Sequence, residues 1–451
     1  MPFRLNRRLL LGIGLLLFFL LPGGALLGRY CWALRQFRIG RTLLERYHQD
    51  EARPYLEAYL RLCPNNAQAL LLLARAARRA GAVAKGDEYL EHYQRVHGQT
   101  EELVREQIFQ TAVRGDVDKV RKYCQKLVRE NDPAAPLALE AMVHGYFRLF
   151  RIKEGRAVLQ TWLERQPNNT QALLYQAGVW TLLLHHSKAV ATYERLLELD
   201  PEHDAARLKL ALVLMEDRIY TTAVPHLESV VRRQPNNLAA AVQLARCRDF
   251  LGQEAEAERL LEGVLRREPH FSHALSEQGR IAMRQGQGDR AEACLREALV
   301  QEPGNHELLY QLILCLERNG KTEEAESKRQ RLDQLKADLK RLEEIATTEL
   351  PIRPHDLDLQ YEFALMLLKT GRDEEGVQWL HRVLHAKPSH APSRRALVEF
   401  YRQIGDEEQA AYHRRFLPTA NPRYTIEPSV LHPTIQPMPR IGPLPQPEPR
   451  P

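Results

Sequence analysis

The sequence predicts an all-helical chain built as a row of helix pairs, and three observations lead there. Prolines stand at Pro133, Pro167, Pro201, Pro235, Pro269 and Pro303, each 34 residues after the last, with Pro64 two periods and one residue before the first. When that proline is set at position 32 of a unit, position 20 reads Ala52, Gly86, Val120, Gly155, Ala189, Ala223, Ala257, Ala291, Ala325, Gly376 and Ala410. Small side chains recurring there suit two helices that cross closely. Positions 4, 7, 8 and 11 are mostly apolar or small, which is helical spacing on one face.

The first element is the run from Leu9 to Gly28, which carries no charge and follows Arg4, Arg7 and Arg8 after a basic tail of residues 1–8. A helix of that length spans about 30 Å, the thickness of a bilayer core. Three readings compete. A retained signal anchor over 9–28 is favoured because the run exceeds the usual h-region of a cleaved signal. Pro22-Gly23-Gly24 would break the helix and keeps open a cut after Ala25. A lipoprotein signal ending at Cys31 is weak, because Arg29 and Tyr30 are not small residues. Arg29, Arg35, Arg38 and Arg41 follow the run, so both flanks are basic and the charge rule does not settle orientation. A short N-terminal tail by preference stays inside, which places the rest of the chain on the extracytoplasmic, periplasmic side.

The repeat units start at Ala33, Ala67, Glu101, Pro136, Thr170, Asp204, Leu238, Ser272, His306 and Leu357, with a partial unit from Ala391 to Leu417. Position 15 is glycine in seven of them: Gly81, Gly115, Gly252, Gly286, Gly320, Gly371 and Gly405. A glycine there can take the left-handed conformation that ends a first helix. Position 8 is small at Gly40, Ala74, Ala177, Ala211, Ala245, Gly279 and Ala364, and Pro-Asn-Asn recurs at Pro64, Pro167 and Pro235. On these residues the chain, from about Ala33 to Leu417, resembles the tetratricopeptide repeat family. The resemblance implies two antiparallel helices per unit, about ten units, stacked into a right-handed superhelical solenoid with a concave groove. Each unit then contacts only its neighbours, which overrides the three domains that length alone suggests.

Two departures interrupt the period. The unit at Glu101 has one extra residue before Pro133, read as a loop adjustment. From His306 to Leu357 the spacing is 51, so 17 residues are added, and the second helix is expected to run on over about 325–350. Leu332, Leu335, Leu339, Leu342 and Ile345 make a heptad-like stripe there, read as packing on the next unit, with a dimer seam as the alternative. Arg329 takes position 24, where the pattern is apolar. After Leu417 come eleven of the chain's 27 prolines, a tail (418–451) expected to be disordered or extended as polyproline II. It reads as a spacer or as a ligand for an aromatic groove.

Nothing in the chain makes a catalytic constellation. There is no phosphate loop and no GxSxG, and Gly286-Gln287-Gly288 reads as a repeat turn. The six cysteines show no CxxC, and His185-His186 lies in a turn without nearby carboxylate or thiol, so neither metal nor cofactor is expected. Sixty-four Lys and Arg against 58 Asp and Glu leave a net charge of +6, too faint for a nucleic-acid binder. Trp162, Trp180 and Trp379 fall at packing positions, and the Asn168 sequon overlaps the recurrent Pro-Asn-Asn turn.

In the family the resemblance points to, positions 2, 5, 9, 12 and 13 of the first helix line the concave surface. Here they carry Arg41, Arg75, Arg78, Arg79, Arg105, His144, Arg148, Arg246, Arg280, Arg284 and Arg318, with Glu140, Glu216, Asp249 and Glu317 among them. The basic lean, densest at Arg75, Arg78 and Arg79, fits an acidic peptide segment. Replacing those three with glutamate is expected to weaken capture and leave melting unchanged. The Asn and Lys pattern that clamps chaperone tails is absent. The expected function is a membrane-tethered scaffold without catalysis, held in the bilayer through 9–28. A cleaved, periplasmic or secreted solenoid in envelope assembly is the first alternative. A cytoplasm-facing regulatory adaptor is the second, though the chain lacks the paired CxxC motifs of the anchored repeat proteins that control lipopolysaccharide synthesis. Oligomeric state is left open by the sequence.

Overall fold

The computed structural model describes residues 28–417. The run from Leu9 and the proline-rich tail lie outside the described residues, apart from Gly28. Among the described residues there is no strand, and no helix is long and apolar enough to cross a membrane. The chain divides into two compact units, one ending at Ala206 and one beginning at Arg207.

The N-terminal unit holds α1 (28–45), α2 (Gln49–Leu60), α3 (Ala67–Arg79), α4 (Val83–His97), α5 (Glu101–Arg114), α6 (Val117–Arg129), α7 (Ala135–Arg148), α8 (Ile152–Arg165), α9 (Thr170–Leu182) and α10 (His186–Leu199). Consecutive helices pack as pairs, and the first helices of successive units also touch, α3 on α5 and α5 on α7. Helix α11 (Asp204–Glu216) spans the border. The C-terminal unit continues with α12 (Tyr220–Arg233), α13 (Leu238–Phe250), α14 (Glu254–Arg267), α15 (Ser272–Arg284), α16 (Gly288–Gln301), α17 (His306–Arg318) and α18 (Thr322–Glu344). It closes with α19 (Leu350–Ile352), α20 (Leu357–Lys369), α21 (Asp373–Ala386), α22 (Ala391–Gln403) and the short α23 (Glu407–Arg414).

The recurrent residues have local causes. The second asparagine of each Pro-Asn-Asn is a helix N-cap. Asn66, Asn169 and Asn237 accept from the backbone N–H of Ala69, Ala172 and Ala240, satisfying a donor the helix cannot use. At position 20 the alanines are buried, from Ala52 to Ala410. A Cβ on Gly376 would stand 2.7 Å from the Leu368 side chain, so the small residue sets the crossing distance. The seven position-15 glycines all have positive φ, between 73 and 106°. The turn keeps this conformation where glycine is absent: Tyr47, Phe150, Leu184 and Arg218 occupy position 15 at φ 56–64°. The extra residue of the third unit is absorbed at Asn131, φ 53°, just past α6.

The second helix of the unit starting at His306, α18, is 23 residues long and ends at Glu344. Leu332, Leu335, Leu342 and Ile345 are buried inside the C-terminal unit, where α18 packs on α20. Most of the stripe is thus covered within the chain, as packing on the next unit requires, while Leu339 is only partly buried. Arg329 is half exposed and pairs with Glu317 and Glu326. The helix does not stay regular: Ile345–Glu349 form a π-helical turn, in which the Leu350 N–H bonds to the Ile345 carbonyl. Pro351 follows, with no N–H to give and a ring that crowds the preceding turn, and the wider turn accommodates it.

Candidate binding groove

In the N-terminal unit the first helices bring the concave positions together, and there they find each other. Arg75 donates from Nη2 to Glu106 Oε1 at 2.6 Å, and Arg78, only 2% exposed, pairs with the other Glu106 oxygen. Arg79 reaches past α5 to Glu140, with Nε and Nη2 at 2.6 and 2.8 Å from its two oxygens. Its remaining nitrogen Nη1 donates to the Leu44 carbonyl at 2.6 Å, and the guanidinium lies 4.2 Å from the Tyr47 ring centre. Burial alone would raise the Glu106 carboxyl, but the Arg78 and Arg75 guanidiniums hold it down at about 2. Glu140 is likewise depressed, because Arg79 more than offsets the cost of burying it.

The basic lean at Arg75, Arg78 and Arg79 is thus met from within the chain. Their charge is spent on carboxylates of the same chain, and no acidic peptide is needed to satisfy them. Glutamate substitutions would set like charges inside a buried network, so melting would not stay unchanged. His144, beside them, is pushed down to about 4 by burial and is neutral at pH 7. Its ring lies 6.4 Å from that of Tyr175, and Arg148 stands one turn on along α7. Arg105 pairs with Glu101 at 2.6 Å and Arg41 with Glu45 at 2.8 Å, both near solvent.

The C-terminal unit differs. Asp249, its side chain fully buried, holds Arg284 and Arg280, the latter at 2.6 Å, and Arg280 also reaches Glu277 at 2.7 Å. Arg246 has a long ion pair of 3.6 Å to Glu277 and is 39% exposed. Arg318 is exposed, with Nη1 3.5 Å from the Met283 carbonyl. Two aromatic residues stand at the same set of repeat positions as these arginines. Phe250, at position 13 of its unit, is 44% exposed, and Tyr310, at position 5, is 50% exposed. Tyr220 stacks on Phe250 with centroids 4.7 Å apart and planes 5° from parallel. Arg280 and Arg246 approach the same ring at 4.9 and 5.9 Å. Their positions in the repeat were the available signal. Arginine and aromatic side chains are the types that anchor partner proteins most strongly.

The other candidates are placed as follows. His185 precedes α10 without a capping hydrogen bond from its side chain, its ring 5.7 Å from Trp180, and His186 opens that helix. Among the described residues no group of three or more His, Cys, Asp or Glu is arranged to hold a metal. Trp162 is fully buried and Trp379 nearly so, while Trp180 is half-buried under Lys188 at 4.7 Å.

Family profiles described as tetratricopeptide repeat match residues 214–281 in one form, and residues 37–95, 184–238 and 276–338 in another. No curated protein matches the sequence. Among solved structures the chain is similar to PilW, a type IV pilus biogenesis factor, at 19% identity, TM-score 0.38, over 42% of this chain and 89% of that one. A tetratricopeptide repeat protein from Parabacteroides merdae is similar at 16% identity, TM-score 0.35, over 63% and 99%. The Cut9–Hcn1 tetramer of the APC/C is similar at 14% identity, TM-score 0.38, over 84% and 76%. Among the described residues the chain is thus all helical, and segments in both of its units match tetratricopeptide repeat models.

Proposed function

We propose that this chain is a membrane-tethered scaffold that binds segments of partner proteins on the concave positions of its C-terminal unit and carries out no catalysis. The observation that carries the reading is the contrast at those positions. Phe250 is exposed beside the lightly paired Arg246, and Tyr310 and Arg318 are exposed two turns apart on α17, whereas the N-terminal arginines are satisfied within the chain. An acidic segment with an aromatic or apolar anchor suits that surface, the anchor on Phe250 and the carboxylates on Arg246 and Arg318. The tether is the uncharged run 9–28, with the repeats on the extracytoplasmic side. A C-terminal epitope exposed to protease on intact spheroplasts tests the placement. Cleavage with the membrane intact, on a chain that stays in the membrane fraction, supports it. Release of a chain beginning near Leu26 would instead indicate the cleaved, envelope-assembly form, and an epitope protected until detergent is added would indicate the cytoplasm-facing adaptor.

A further inference from the structure

The first repeat of the N-terminal unit turns inward. Between α1 and α2 the chain passes through Tyr47 and His48, and both side chains touch residues more than a hundred positions away in the same unit. Tyr47 Oη accepts from Asn169 Nδ2 at 3.0 Å, at the start of α9. His48 Nε2 lies 2.7 Å from Asp200 Oδ2, in the turn before α11. In a repeat array each unit ordinarily meets only its neighbours. Here the turn of the first unit meets the ends of the fourth and fifth, and Tyr47 packs on the apolar cluster around Leu139, Val143 and Trp162 and against Arg79 at a concave position. Tyr47 holds a left-handed backbone, φ 64°, with Arg79 over its ring.

Three titratable groups face the His48 ring. Asp200 and His203 come from the turn before α11, the His203 ring centre 5.3 Å away. Glu51 comes from α2, with Oε1 3.3 Å from His48 Nδ1. The Arg79–Glu140 pair lies on the far side of Tyr47. His203 is occupied otherwise, its Nδ1 accepting from the Ala206 N–H. The His48 side chain is 9% exposed and that of Asp200 11%, so the contact is shielded from salt and water.

We propose that the Tyr47–His48 turn is a latch that holds the concave face of the N-terminal unit shut against Asn169 and Asp200, and that it loosens when His48 loses its proton. Burial opposes the charge on His48, but Asp200 and Glu51 outweigh it and its pKa is raised. The charged pair is therefore fully present below the ordinary value of about 6.5 and is lost as pH rises through the higher folded value. Neutral histidine still hydrogen-bonds the carboxylate without charge assistance, which weakens the contact without erasing it. Acid closes the latch and alkali frees it. The arginines and glutamates behind it, now sealed in, would then become reachable.

Hydrogen exchange on the full chain in mild detergent, corrected for intrinsic rates, tests this at about pH 5.5 and about pH 8. In the wild type, protection at 46–52 and 200–206 is expected to fall by about threefold or more on going to the higher pH, with α15 and α16 unmoved. His48→Gln is expected to show the loosened state at both pH values, and adding Asp200→Asn to it should change little more. The same pH response in His48→Gln as in the wild type would overturn the latch. So would a wild type protected equally at both. Should the variant fold poorly, carbon-13 titration of the wild-type histidines decides: a resonance for His48 titrating above about 6.5 is required, and titration at or below that value overturns the proposal.

Discussion

Arg79 shows how much of the N-terminal face depends on single side chains. It is 6% exposed and joins Glu140, the Leu44 carbonyl and Tyr47 at once. Arg79→Met would leave Glu140 buried without its counter-charge, and a loss of about 3–5 kcal/mol is expected in urea unfolding of that unit. Arg246→Met, at a 39% exposed site, is expected to cost less than about 1 kcal/mol. Equal losses would contradict the division between structural and available arginines. His413 gives a pH test in the other unit. It is buried, stacked on Tyr401, and its pKa is lowered to about 4 by burial, with His381 and Arg394 adding to the effect. The folded state therefore resists a proton that the unfolded chain accepts below about pH 6.5, so stability falls as pH drops from there toward 4, by up to about 1.4 kcal/mol per unit. His413→Gln should flatten that slope as read by urea midpoints, and an unchanged slope would sink the assignment. At this scale the sequence showed which residues occupy concave positions and left their partners hidden. Glu106 lies at position 6, outside the lining set, and its pairing with Arg75 and Arg78 depends on how sharply successive units turn.

The helix pairs were legible almost to the residue, because period, cap and turn all act locally. Proline, the asparagine N-cap and the position-15 turn each report on a few neighbouring bonds. The turn also proved stricter than its residues. Leu184 and Arg218 adopt the left-handed conformation that glycine takes elsewhere, at a cost of about 1–2 kcal/mol. Leu184 is 78% exposed, so Leu184→Gly removes strain and loses little packing. It is expected to raise stability by about 1 kcal/mol in thermal unfolding. A destabilised Leu184→Gly would show that the leucine is held for another reason. The long helix α18 was anticipated from its leucine stripe, but the π turn was not, since it answers to Pro351 and to packing on α20. Leu335→Ala should cost about 2–5 kcal/mol and leave the sedimentation coefficient unchanged, because that leucine is buried within the chain. A change in association state would point to the dimer seam.

Over the whole molecule, the same repeat serves two ends. The N-terminal unit spends its concave positions on its own carboxylates and on the Tyr47–His48 turn. The C-terminal unit leaves two aromatic side chains and two lightly held arginines in solvent. No periodic pattern distinguishes these cases, since both obey the same consensus and differ only at the variable positions between. The most direct measurement places para-azidophenylalanine at Tyr310 and, separately, at Tyr175, where it differs little in size from the tyrosine it replaces, followed by photolysis in living cells. Tyr175 lies in the N-terminal unit, packed against its apolar core beside His144, Phe147 and Trp162. Intermolecular adducts from position 310 and none from 175 are predicted. Adducts from 175 with none from 310 would contradict the account and place partner binding in the N-terminal unit.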